Sequence, residues 1–282
     1  MLYTEHPPNP ALASLIRCIW VFEATPDDGP AEIQRIVPDG CPEMVLHYGD
    51  QCREIELSGT LKRQSRFVFA GQLSQPLLLQ PGRRAGMIGI RLQPSGARAF
   101  LGLSMHEATD VRLDLTDVWA QDGAALIEAV GNANNTAERM HLVAQFLQQK
   151  FVRARKQSDT TVTHGVALLQ SSGGHISVDD LAHHCGLSSR QLERRFLGEV
   201  GIPPRLLASI FRFRRVFDLL EHEPSGRWVS AAIGAGYFDQ AHMIRDFKRF
   251  AGQRPQAFYR SLNGLSAAMI GGEIATGLGR EA

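Results

Sequence analysis

The chain has 282 residues, of which 44% are hydrophobic and 21% charged, with a formal net charge of +1. That length suffices for two domains, and the composition excludes a fibrous or disordered chain. No apolar run reaches the roughly 20 residues that span a bilayer, the opening MLYTEHPPNPALASL lacks the basic-then-apolar order of a secretory signal, and the four cysteines, Cys18, Cys41, Cys52 and Cys185, show no CxxC spacing, so a cytoplasmic chain away from membranes is expected.

Residues 1–100 are rich in Pro and Gly and hold short apolar runs at 19–22, 33–37, 44–47, 67–70, 77–79 and 87–92. Such runs, set between turn signals like Pro38-Asp39-Gly40 and Tyr48-Gly49-Asp50, predict an antiparallel β barrel or sandwich. Trp20, Phe22, Arg35, His47 and Arg91 are aromatic or polar residues on the predicted strands and are the candidate pocket residues. Segments 94–101 and 115–119 read as short helices packed on the side of this unit. In 135–152, Met140, Val143, Phe146, Leu147 and Phe151 recur at helical spacing. Their stripe has two readings, packing on the barrel or pairing two chains, and periodicity does not choose between them.

The polar stretch 153–161, RARKQSDTT, reads as a linker between a first domain, 1–152, and a helical domain, 162–262. The Gly/Ala-rich tail 263–282 is expected to fray. Charge divides the same way: residues 1–154 carry 14 Lys/Arg against 17 Asp/Glu, and 155–262 carry 15 against 10. A basic C-terminal half is a weak electrostatic signature of nucleic-acid binding.

Residues 177–196, SVDDLAHHCGLSSRQLERRF, hold the sharpest pattern. Val178, Leu181, Ala182 and Cys185 make the inner face of a helix, Gly186 supplies a left-handed end, Ser188 caps a second helix, and Leu192 and Phe196 pin it. Arg190, Glu193 and Arg194 then share the free face. This is the layout of a helix-turn-helix, whose second helix enters the major groove. Residues 228–247, WVSAAIGAGYFDQAHMIRDF, repeat it: Trp228, Ala231, Ala232 and Ala235 inside, Gly236 at the turn, Asp239 as cap, Met243 and Phe247 as pins. Gln240, Ala241, His242 and Arg245 face out. Between the two units Pro203-Pro204 opens a helix reaching about residue 222, with Leu206, Ile210, Phe213, Phe217 and Leu220 on one face and Arg205, Arg212, Arg214 and Arg215 elsewhere. Gln253-Arg254-Pro255 breaks the chain before a last short helix.

Those residues, LAHHCGLSSRQLERRF, PPRLL…FRFRR and GYFDQAHMIRDFKRFAGQRPQAFYR, resemble the DNA-binding domain of AraC/XylS-type bacterial transcription regulators over about 162–260. The resemblance implies an α+β chain: an N-terminal antiparallel β barrel of cupin-like type with packed helices, and an all-α C-terminal domain of seven helices with two helix-turn-helix units in adjacent major grooves. It further implies a homodimer, an activator that contacts RNA polymerase, and control by a small-molecule effector in the N-terminal domain, for which VPDGCPEMVLHYGD and MIGIRLQPSGARAFLG are weaker marks. Base contact falls on Arg190, Glu193, Arg194, Gln240, Ala241, His242 and Arg245, and backbone contact on Ser188, Arg195, Lys248 and Arg249. Arg suits guanine, Gln adenine and Glu the cytosine amine. The second unit departs from the pattern: Ala231 and Gly234 thin its inner face, Phe238 stands where a capping Ser is common, and Ala241 offers only apolar contact. The first unit is therefore expected to carry more of the base specificity.

The alternatives are an effector-independent regulator, or an enzyme fused to the DNA-binding domain. A cupin enzyme needs several His/Glu ligands on strands, and His47 has no histidine partner there. An Ada-like alkyl transferase needs a zinc-bound cysteine set, which Cys18, Cys41 and Cys52 are too widely spaced to suggest. No catalytic residue, metal or cofactor is expected.

Overall fold

A computed structural model describes residues 1–29, 32–56, 58–154, 159–222, 228–262 and 264–270. Among these, ten strands form two antiparallel sheets. The first runs β1 (Leu2–His6), β2 (Ile16–Ala24), β9 (Ala85–Leu92), β4 (Glu43–His47), β7 (Phe67–Ala70) and β10 (Arg112–Asp114). The second runs β3 (Gln34–Ile36), β8 (Leu77–Gln80), β5 (Arg53–Ile55) and β6 (Leu61–Arg63). The expected antiparallel β fold of cupin-like type is borne out, with the strands in two facing sheets and the barrel not closed. The runs at 19–22, 33–37, 44–47, 67–70, 77–79 and 87–92 all fall on strands. The strands without an apolar run, β1, β5, β6 and β10, are polar and lie toward the sheet margins, where short charged strands resist edge-to-edge pairing.

Side chains alternate along the central strands, as a period of 2 requires. Ile19 and Val21 of β2 with Ile88 and Ile90 of β9 face one cluster, and Trp20, Phe22 and Met87 face the other. The first cluster is covered by α1 (Ala97–Leu101), α2 (Leu115–Asn132) and α3 (Thr136–Ala154). The second lies between the sheets. Gly89 sits there because a Cβ would meet the Trp20 ring at 1.9 Å. Helix α2 continues well past the expected 119, across a kink at Ala120, whose φ is +37°. The stripe on α3 packs inward: Phe146 lies 6.1 Å from Phe67 and 5.1 Å from Trp119, ring to ring. Of the two readings of that stripe, this chain's own sheet and α2 cover it.

Seven helices form the C-terminal domain among the described residues: α4 (Thr160–Ser171), α5 (Val178–His184), α6 (Ser189–Glu199), α7 (Pro204–His222), α8 (Trp228–Gly234), α9 (Gln240–Ala251) and α10 (Pro255–Arg260). One core unites them. Its centre is an aromatic cluster on α7, with Phe213 4.8 Å from Phe247 and 5.1 Å from Phe217. Residues 264–270, expected to fray, instead form α11 (Gly264–Ile270), with Leu265 2% exposed and Ile270 5%. The rest of that expectation, 271–282, lies outside the described residues, as do 155–158 of the expected linker.

The two halves touch at several points. Arg98 on α1 forms an ion pair with Glu199 at the end of α6. Thr109 donates to the Gly201 carbonyl at 2.7 Å. Val37 is buried with the C-terminal core.

Candidate nucleic-acid interface and inter-sheet cavity

Each reading unit is set by its caps. The Ser177 hydroxyl accepts from Asp180 N–H at 3.0 Å and starts α5. Gly186, at φ +65°, ends it, and Leu187 N–H returns to the Ala182 carbonyl at 3.0 Å. Ser188 and Gln191 then form a capping box at the head of α6. Leu192 and Phe196 are fully buried, while Arg190, Glu193, Arg194 and Arg195 are exposed.

The second unit repeats this bonding. Gly236 has φ +81°, Tyr237 N–H returns to the Ala232 carbonyl at 3.0 Å, and Asp239 caps α9 by accepting from His242 N–H. The turn glycines stand fifty positions apart and the caps fifty-one. The second turn is therefore one residue longer, and the extra residue, Phe238, is 92% exposed. The longer turn makes Arg194 and Arg245 equivalent positions. Gln240, Ala241, Arg245, Lys248 and Arg249 are exposed, but His242 is half-buried, its ring set against Tyr237 at 5.1 Å. Behind it the Tyr237 hydroxyl and the Asp246 carboxyl face each other, and burial raises both pKa values.

Helix α7 holds the two units together. Arg212 donates to the Gly174 carbonyl just before α5 at 2.6 Å, and Arg215 donates to the Gly234 carbonyl at the end of α8 at 3.2 Å. These arginines had no assigned role in the sequence, because the carbonyls they meet come from distant turns. Gly174 itself, at φ +78°, lies against the Ala208 backbone of α7, 2.2 Å from where a Cβ would be. Arg195 is shared with Asp159, the cap of α4, at 3.4 Å.

Between the sheets is a cavity of ≈ 60 Å³. Of the candidate pocket residues, Trp20 and His47 line it. His47 is 1% exposed, and neither ring nitrogen makes a hydrogen bond of normal geometry, although Gln64 stands beside it. Burial lowers its pKa to about 4, so the ring is neutral. Arg91 lies at the cavity's edge in an ion cluster, 2.8 Å from Glu43, 3.0 Å from Glu5 and 3.4 Å from Asp39. The Trp20 indole N–H also donates to Glu43, at 3.1 Å. Phe22 is buried between the sheets but opens on a separate crevice with Asp28 and Glu32. Arg35 does not line the cavity: it donates to the Ala251 carbonyl at 3.1 Å, across the domain boundary. Sequence reasoning missed Glu43, which faces the cavity from β4, and Cys52, which faces it from the loop just before β5. It also missed Leu265 and Met269, which reach it from α11.

Residues 4–114 match a family described as a domain of unknown function (DUF6597), and residues 181–261 match a family described as a helix-turn-helix domain. No curated protein matches the chain. Among solved structures it is similar to ToxT from Vibrio cholerae, at 13% identity and TM-score 0.49 over 94% of this chain and 100% of that one. An unsaturated fatty acid-bound ToxT from the same species is similar at 10% identity and TM-score 0.46, over 85% and 93%. The AraC-like transcriptional activator CuxR is similar at 14% identity and TM-score 0.28, over 82% and 99%. The matched helix-turn-helix family and the two capped reading units tied to one central helix together make residues 181–261 a helix-turn-helix domain of the DNA-binding kind.

Proposed function

We propose that the chain is a transcription regulator of the AraC/XylS family that reads its operator chiefly through α6. Arg190, Glu193 and Arg194 contact base edges there, and Gln240, Ala241, His242 and Arg245 of α9 contact them in the next major groove. The observation that carries this reading is the free face of α6: three charged side chains exposed directly opposite the buried Leu192 and Phe196. Ser188, Arg195, Lys248 and Arg249 hold the backbone. A homodimer that contacts RNA polymerase belongs to the same reading. So does a small-molecule effector bound between the sheets, where the His47 ring offers a donor and an acceptor. The chain is read as having no catalytic role; the Cys41 thiol is buried and pushed up to about 12, so it stays protonated at neutral pH.

The test is the affinity of the whole chain for a promoter site as salt is varied. Phosphate contacts release counterions, so affinity must fall steeply with salt; a flat curve refutes the reading. Arg194→Ala should cost about 1–3 kcal/mol at the specific site and relax base preference there. An equal loss on random DNA would reassign Arg194 to the backbone. Light scattering with and without DNA tests pairing.

A further inference from the structure

Helix α11 belongs to both cores at once. Leu265 is buried with the residues between the sheets, Met269 packs on the same cluster, and Ile270 is buried in the C-terminal core. Leu265 and Met269 supply part of the cavity wall. Hydrogen bonds tie this short helix at both ends. Ser266 N–H and hydroxyl donate to the Gln34 side-chain oxygen at 3.0 and 3.3 Å. At its far end Arg214 of α7 donates to the carbonyls of Met269 and Ile270 at 3.1 and 3.2 Å. A helix of 7 residues does not persist on its own propensity, so these contacts and the burial hold it.

The cavity behind it is too small for an organic effector. At ≈ 60 Å³ it is well below the roughly 150 Å³ of a cavity that takes up benzene. Its chemistry is nevertheless that of a binding site: largely apolar walls around the buried His47 ring, which has Gln64 beside it but no hydrogen bond of normal geometry. No Lys or Arg lines it among the described residues, so an anion would find no partner. Glu43 and Asp39, the acids at its edge, are already engaged by Arg91, so a cation would have to break that cluster.

We propose that α11 is a plug standing in the effector's place. An uncharged, largely apolar molecule with one hydrogen-bonding group enters between the sheets, takes the volume held by Leu265 and Met269, and pairs with His47. This rests on the effector reading above and adds to it the ligand class and a route to the DNA-binding domain. Displacing α11 strips Arg214 of its two carbonyl partners. Arg214 shares α7 with Arg212 and Arg215, which hold the turns of both reading units. The ligand therefore favours the unplugged state by its contacts at His47, and α7 feels the difference.

The experiment titrates hexan-1-ol, hexanoate and hexylamine into the full chain by calorimetry, for wild type, Met269→Ala, Leu265→Ala/Met269→Ala and His47→Leu. Backbone hydrogen exchange at 265–270 is followed at saturation. Hexan-1-ol should bind the double variant about 10-fold more tightly than wild type, because no plug then competes. It should speed exchange at 265–270 in wild type, and His47→Leu should weaken it. Binding to wild type with exchange at 265–270 unchanged overturns the plug and leaves the effector cavity standing. Binding to none of the chains overturns the cavity as effector site as well. Preference for hexanoate or hexylamine overturns the ligand class. Should the double variant fail to fold, Met269→Ala and the exchange measurement on wild type decide the matter.

Discussion

Arg98→Met tests whether the N-terminal domain clamps the first reading helix. Arg98 sits on α1, and its partner Glu199 closes α6 with its side chain only 5% exposed. Burial holds the Glu199 pKa above the usual carboxylate range even with Arg98 beside it. A carboxyl whose pKa is raised on folding favours the folded state below the ordinary value of about 4.3, and that contribution is lost as pH rises through the raised value. Removing Arg98 raises the pKa further, so the loss at pH 7 must grow. Breaking a fully buried pair costs about 3–5 kcal/mol. The Arg98 side chain, however, is 41% exposed and screened by solvent, so about 1–2 kcal/mol is expected here. Urea unfolding followed by helical circular dichroism should show a midpoint lower by about 0.5 M or more at pH 7, and a much smaller gap near pH 4. Arg98→Met/Glu199→Gln should recover most of the loss, since no buried charge is then left alone. A loss that is the same at both pH values, or a double variant as unstable as the single one, would refute the reasoning.

His47 acts in the opposite direction. Its pKa falls from 6.5 to about 4 on burial, so its contribution is intact above pH 6.5 and is lost as pH falls through 4, by about 3 kcal/mol in full. His47→Leu should flatten stability between pH 6.5 and 4, and an unchanged acid limb would count against a buried neutral ring. Ser188→Ala removes the α6 cap and should cost about 0.5–2 kcal/mol, visible as faster amide exchange at the start of α6 with α9 unaffected. Gly89→Ala should drive the Trp20 indole off β9 at a cost of about 1–3 kcal/mol, read as a shift of tryptophan emission; an unshifted spectrum would contradict the close approach.

The C-terminal domain was legible because its signals are local. Gly186, Ser188 and the pair Leu192/Phe196 fall within one short stretch, and each enforces its own turn, cap or face. The longer second turn was not legible: Phe238 stands where a capping Ser is common, and only the structure makes it an extra, exposed turn residue ahead of the cap Asp239. The sheets were half legible. Apolar runs marked the buried strands, but β5 and β6 carry sequences such as LKR that look like loop until a neighbour supplies their hydrogen bonds. The cavity was least legible. Trp20 and His47 were found as aromatic or polar residues on strands. Arg35 has the same local pattern, yet it turns to Ala251, and only the packing of the two domains decides that. Leu265 and Met269 sit in a Gly/Ala-rich segment with weak helical signal, and they pack on sheet residues from the far end of the chain.

That separation bears on how the molecule is made. The Gln34–Ser266 contact spans 232 positions and Arg35–Ala251 spans 216. Contacts this far apart form late, and synthesis delivers the N-terminal half first. While residues 265–270 are still to emerge, the sheets can pair but their mouth has no α11 to fill it, and Arg214 has no carbonyl to hold. Every newborn chain therefore passes through a form without α11 before it reaches the finished one, and on the plug proposal that earlier form is the one in which a small molecule meets no competition from Leu265 and Met269.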